Sequence, residues 1–213
     1  PDKPYTDFPF NIKKMSVSGC LFDFDKLNDV SKNVLSKMSA DEIYSKVYTW
    51  ALEFDPEFAN ELGRDPEYSK KILAIGRGGK KPRKDFATLA DIKPYMSFFF
   101  DKYFEIENEI PDSFDKNDAK AILTAFVDRY DPSLDNNAWF ENVKSIGAEL
   151  GYTSDMKAYK EDPSAFKGSV ADVSMIIRIA TTGRINSPDL YTVMQIIGKE
   201  RTIERINSMI RKI

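Results

Sequence analysis

The sequence predicts an all-α fold: two consecutive helical bundles preceded by a short irregular or extended segment. Three observations carry this expectation. Apolar residues recur at helical spacing along most of the 213 residues. Helix starts are marked by capping boxes and prolines, and helix ends by glycines. The period-two alternation of half-buried strands is nearly absent.

The elements follow in order. Leu27, Val30, Val34 and Met38 predict a helix from about 25 to 38. Ser39 and Glu42 form a capping box that opens "ADEIYSKVYTWALEF", where Ile43, Val47, Trp50 and Ala51 share a face. Pro66 opens "PEYSKKILAIGR", which Gly78-Gly79 should close. "KPYMSFFFDKYF" reads as an aromatic helix, followed by "DKNDAKAILTAFVDRY" and by "NNAWFENVKSIGAELG" with Gly151 at its end. Ser169 and Asp172 box the start of "VADVSMIIRIATTG", which stops at Gly183. Ser187-Pro188 opens "PDLYTVMQIIG", and "KERTIERINSMIRKI" ends the chain. The charge and Pro111 of "EIENEIPDSFDK", residues 105 to 116, mark the expected boundary between the bundles.

Composition excludes several chemistries. The chain has no histidine and a single cysteine, which removes Ser-His-Asp and Cys-His catalysis, histidine-containing metal sites and thiolate zinc clusters. Cys20, in the apolar context "SGCLFDF", reads as a small buried filler and fits a reducing cytoplasm. "GRGGKKPRK" has glycines but neither a preceding strand nor a Lys-Ser/Thr ending, so it is not a phosphate-binding loop of the Walker type. No apolar stretch is long enough to span a membrane. A helical protein-interaction module, with Phe98-Phe99-Phe100 lining a partner groove, is the competing class.

Charge is segregated although the net value is only −3. Lys70, Lys71, Arg77, Lys80, Lys81, Arg83 and Lys84 run without an acid among them. The middle of the chain is acidic. Arg178, Arg184, Lys199, Arg201, Arg205, Arg211 and Lys212 then make the end basic again. Two basic zones around an acidic one fit either a surface for a polyanion, because phosphate contacts supply most sequence-independent affinity for nucleic acids, or a solvated glycine-softened loop and a C-terminal helix whose cations offset its dipole.

Two segments resemble bacterial glutamyl-tRNA synthetases. "SGCLFDFDKLNDVSKNVLSKMSADEIYSKVYTWA" is similar to the segment after their catalytic domain, through Gly19, Phe22, Asp23, Lys26 and Leu27. "IIRIATTGRINSPDLYTVMQIIGKERTIERI" is similar to their C-terminal end, through Arg178, Ala180, Thr182, Gly183, Pro188, Leu190, Gly198, Lys199, Glu200 and Arg201. Lys14-Met15-Ser16-Val17-Ser18 nearly spells the mobile ATP loop of class I synthetases. However, Val17 replaces its second lysine, the loop lies too close to Phe22-Asp23, and the partner motif His-Ile-Gly-His needs histidines that the chain lacks. Those five letters are a look-alike within a connection.

The resemblance implies a helical region of the class I synthetase anticodon-binding type: a stem-contact region over 1–60, a first anticodon-binding subdomain over 61–110 and a second over 111–213. It implies no catalytic residue and no metal or cofactor in this stretch, with ATP and Mg²⁺ belonging to the parent ligase. The implied partner is tRNA(Glu), with tRNA(Gln) left open; membrane and DNA partners are not expected, and the expected state is a cytoplasmic monomer. Arg178 matches an anticodon-contacting arginine, Leu190 an apolar residue packing on an anticodon base, and Arg83 an arginine that helps read the third anticodon base. Lys80, Lys81, Lys84, Arg184, Lys199 and Arg201 are candidates to grip the tRNA backbone, with Lys26 and Lys32 facing its stem. A glutamine-charging relative fits less well, because its anticodon region is built from β-barrels.

Overall fold

A computed structural model describes residues 5–7, 9, 11–15, 22–112 and 114–213. The Cys20 expectation, and Ser16 to Ser18 of the look-alike loop, lie outside these residues. Of that loop, Lys14 ends a short 3₁₀ turn and Met15 is exposed.

The described residues are helical, as expected. The α-helices are α1 (Phe24–Lys37), α2 (Ala40–Phe54), α3 (Pro56–Arg64), α4 (Pro66–Leu73), α5 (Ile92–Met96), α6 (Lys116–Arg129), α7 (Asn136–Glu149), α8 (Met156–Glu161), α9 (Val170–Thr182), α10 (Leu190–Ile197) and α11 (Lys199–Lys212). β1 (Tyr152–Thr153) and β2 (Gly168–Ser169) form one short parallel pair. The capping boxes at Ser39-Glu42 and Ser169-Asp172 are present. Asp23, part of the Phe-Asp signature, caps α1 by accepting from the Asp25 and Lys26 N–H groups at 2.9 and 3.1 Å.

The structure departs from the sequence expectation in five places. α4 ends at Leu73, well before Gly78, because Gly76 already takes a left-handed φ of 68°. The aromatic helix breaks after Met96 into two 3₁₀ turns, with Phe100 extended between them. This break lets Phe98, Phe99 and Phe100 all turn inward, at 2%, 0% and 6% exposure. They are core, so the partner-groove reading of that run is not supported. α3 and α8, each opened by an aspartate cap, were not anticipated. Finally, Asp189 rather than Ser187-Pro188 caps α10, accepting from the Thr192 N–H at 2.9 Å.

Two apolar cores organise the molecule. The first gathers Ile43, Val47, Phe58, Leu62, Ile72, Ile92, Met96 and Phe99 from α2 to α5 and the turns that follow. The second gathers Ile122, Leu123, Phe126, Val143, Ile146, Val173, Ile176 and Ile206 from α6, α7, α9 and α11. Each large side chain so buried contributes about 1.5–3 kcal/mol before the entropy of ordering it. α10 serves both cores: Val193 and Ile197 enter the first, while Leu190 and Met194 enter the second. The i, i+4 spacing of each pair gives one helix two apolar rows.

The two halves are also joined through polar contacts. Gly183, at φ 74°, ends α9, and its carbonyl accepts from the Asn108 N–H at 2.9 Å. A Cβ at Gly183 would overlap the Glu105 carbonyl, so only glycine allows the linker to lie here. Arg205, 6% exposed, donates to the Phe98 and Thr181 carbonyls at 2.7 and 3.1 Å and to Asp101 at 2.9 Å. α1 presents a different surface: Phe24, Leu27, Val30 and Val34 share one face and stay about half to two-thirds exposed.

Candidate nucleic-acid interface

Beside the first core, where the loop before α10 meets the α5 region, lies an open cavity of about 300 Å³. The loop after α4 supplies Arg83 and Asp85 to its wall. The α5 region supplies Asp91, Pro94, Tyr95 and Phe98, and the loop before α10 supplies Arg184, Asn186, Ser187 and Pro188. Sequence positions about a hundred residues apart therefore line one space.

Arg83 is held from two sides. Its backbone N–H donates to the Gly76 carbonyl at 3.0 Å, and its side chain crosses Gly76 where a Cβ would overlap the Arg83 Cδ. Its Nε and Nη2 donate to the two carboxylate oxygens of Asp85 at 3.0 and 2.7 Å, a two-pronged pair. Hydrogen bonding to Asp85 holds the Arg83 guanidinium above its ordinary pKa. Tyr95 forms an aromatic wall edge-on to Phe86, with ring centroids 5.0 Å apart. Burial pushes its phenol up to about 12, so it remains a donor near neutral pH.

Arg178 lies one turn before the end of α9. It is half-buried, and its Nε is enclosed with no hydrogen-bond partner among the described residues. Burial lowers its pKa, opposed by the charge of Asp189, the neighbour of cavity-lining Pro188. An enclosed guanidinium donor without an acceptor is costly.

Other expected residues are placed differently. Leu190 is 3% exposed and belongs to the second core. The first turn of α10 points it inward, so Ser187 and Pro188 line the cavity instead. Arg184 is engaged within the protein: it donates to the Pro94 carbonyl at 2.7 Å, to Ser97 Oγ at 3.0 Å and to Glu107. Arg201 donates to the Tyr68 hydroxyl and the Phe99 carbonyl at 3.1 and 2.9 Å. Arg77 donates to the Leu35 and Met38 carbonyls at 2.6 and 3.3 Å, satisfying the end of α1. The expected C-terminal basic zone is thus largely a set of internal ties, because buried carbonyls and acids meet these arginines first.

Lys80, Lys81 and Lys84 are exposed on the loop that carries Arg83. Lys26 and Lys199 are exposed, and Lys32 is partly buried on α1. None of these six lysines has a salt bridge among the described residues. Sequence reasoning missed Asp85, Tyr95, Asn186 and Ser187. The Arg-x-Asp spacing at 83–85 and the turn letters of "RINSP" were the available signals. No described helix is long and apolar enough to cross a membrane.

Residues 154–210 match a family described as an anticodon binding domain. The glutamate–tRNA ligase of Acetivibrio thermocellus is 47% identical over 210 residues, covering 99% of this chain and 38% of that protein. Those of Sorangium cellulosum and Clostridium perfringens are each 41% identical, covering 97% of this chain and 36% and 38% of theirs. The chain therefore spans somewhat over a third of the length of these relatives. A crystal structure of a glutamate tRNA ligase from Elizabethkingia meningosepticum shares the fold at a TM-score of 0.54 and 21% identity, over 95% of this chain and 35% of that one. The chain belongs to the glutamate–tRNA ligase family, over a stretch of its members that includes an anticodon binding domain.

Proposed function

We propose that this chain is the C-terminal, tRNA-reading portion of a glutamate–tRNA ligase. In this reading residues 1–60 contact the tRNA stem, and 61–110 and 111–213 form two anticodon-binding subdomains that share α10. The whole protein attaches glutamate to tRNA(Glu) with ATP and Mg²⁺ and acts as a cytoplasmic monomer, with tRNA(Gln) left open as a second partner. Among the described residues no group of three or more His, Cys, Asp or Glu is arranged to hold a metal ion, and no ATP chemistry is assigned to them.

The cavity beside the first core carries the reading. It places the held arginine Arg83, the aromatic Tyr95 and the open amide of Asn186 around one space, beside the exposed lysines of the same loop. Bases of a single-stranded loop are recognised by stacking and by hydrogen bonds to their edges, while cations hold the phosphates. Arg178 reaches the same end of α9 with an enclosed donor to offer. Lys80, Lys81, Lys84 and Lys199 hold the backbone, and Lys26 and Lys32 face the stem. Arg184 and Arg201 shape the site through their internal bonds, and Leu190 supports it from the core two residues beyond Pro188.

The test is an anisotropy titration of a labelled RNA hairpin bearing a glutamate anticodon. Affinity should fall steeply between about 50 and about 200 mM salt, as counterion release requires. Absence of binding at the lower salt would reject the proposal.

A further inference from the structure

We infer that Asp85 is a positioning residue: by fixing the Arg83 guanidinium at the cavity wall, it sets which nucleobase the cavity accepts. This rests on the RNA-binding reading above.

The geometry favours orientation over simple neutralisation. Asp85 takes the Nε–H and one Nη2–H of Arg83, which leaves the second Nη2–H and both Nη1–H groups, on the far side of the guanidinium, outside the pair. The acid is also the more buried partner, its side chain 19% exposed against 44% for Arg83. The open Cα of Gly76 fixes the arginine stem from below. A flexible arginine would serve any nearby phosphate and carry no sequence information. A planar fork locked at its stem and along one edge holds its remaining N–H groups in a fixed orientation, and that orientation discriminates between base edges. The rest of the cavity wall offers further chemistry. Burial pushes the Tyr95 phenol up to about 12, and Asn186 and Ser187 border the same space. The ligand class is one unstacked nucleobase that presents an acceptor toward the remaining N–H groups of Arg83.

The experiment uses four RNA hairpins that differ only at the third anticodon base, with Kd measured for each. The readout is the ratio of the tightest to the weakest Kd, which a merely structural role of Asp85 would not move. Asp85→Asn should reduce that ratio about tenfold, the scale of one directional base contact. Arg83→Lys, which keeps the charge but cannot make the two-pronged pair, should reduce it similarly. In an Arg83→Ala background, Asp85→Asn should produce no further change. Retention of the wild-type ratio by Asp85→Asn would overturn the inference, as would an undiminished effect in the Arg83→Ala background. A wild-type ratio near one would overturn it while leaving RNA binding intact. Failure of the wild type to bind any hairpin would remove the RNA-binding reading and this inference together. Should Asp85→Asn unfold at the assay temperature by circular dichroism, Arg83→Lys carries the test.

Discussion

Burial lowers the pKa of both Arg205 and Arg178, yet their surroundings diverge. Arg205 finds Asp101, two carbonyls and the face of Phe104, whose centroid lies 3.8 Å away. Arg178 keeps an enclosed Nε with no partner among the described residues. The first is a tie between the two halves; the second is an enclosed donor near the end of α9 that ties nothing together. The difference teaches that a basic letter in a nucleic-acid-binding sequence is not by itself a phosphate contact. The neighbours reached in three dimensions assign its role.

The comparison can be broken most sharply at Arg205. Arg205→Ala removes the donor to two buried carbonyls and the contact with Phe104, while exposed Asp101 keeps Arg201, and should cost about 2–4 kcal/mol in urea unfolding. A loss below about 1 kcal/mol, the level of an exposed pair, would show that the seam between the cores does not depend on it. Gly183→Ala comes next. A left-handed φ combined with a carbonyl in the way of Cβ should cost about 2–3 kcal/mol. Retention of wild-type stability would mean that the 105–108 linker can move away from the end of α9.

Arg178→Ala should behave in the opposite sense to Arg205→Ala. Its folding stability should change little, because a partnerless buried donor is removed, while hairpin binding weakens by about 1–3 kcal/mol. Equal weakening on an unrelated anticodon would argue against base reading, and full retention of affinity would take Arg178 out of the site. Replacing Lys80, Lys81 and Lys84 together by alanine should shift stability by less than about 0.5 kcal/mol. It should also flatten the slope of log affinity against log salt by about 2, near 0.7 per lost phosphate contact. An unchanged slope would place the RNA elsewhere.

The smallest effect concerns pH. The Lys93 hydrogen bond holds the Asp55 carboxyl below its ordinary pKa, and backbone N–H groups hold Asp115 below its own. A depressed carboxyl stabilises the fold above its unfolded pKa and loses that contribution as pH falls through the folded value. With no histidine in the chain, stability should be nearly flat from about pH 5.5 to 8 and decline below about pH 4. A transition near pH 6.5 in thermal melts would contradict this.

Helix type and most helix limits were legible because caps, prolines and glycines act within a few residues. Asp23, Ser39, Ser169 and Gly183 each do locally what their letters suggest. The segment 92–104 was not legible, since burying three consecutive phenylalanines needs a broken helix that no local rule supplies. Part of the family-like signature proved structural: Gly183 admits the linker, and Arg201 binds Tyr68 and Phe99. The candidate cavity was legible only in pieces, at Arg83 and Pro188, because its walls meet across about a hundred residues.

The sequence alone determined the helical class, the capping points, the exclusion of histidine chemistry and the resemblance to a tRNA ligase, all of which depend on nearby letters or their order. The tertiary structure decided which cations are free and which are ties, that α10 belongs to both cores, and that Arg83 shares its guanidinium with Asp85. These are matters of distance and enclosure, and a buried arginine bonds to whatever acceptor the fold brings within about 3 Å.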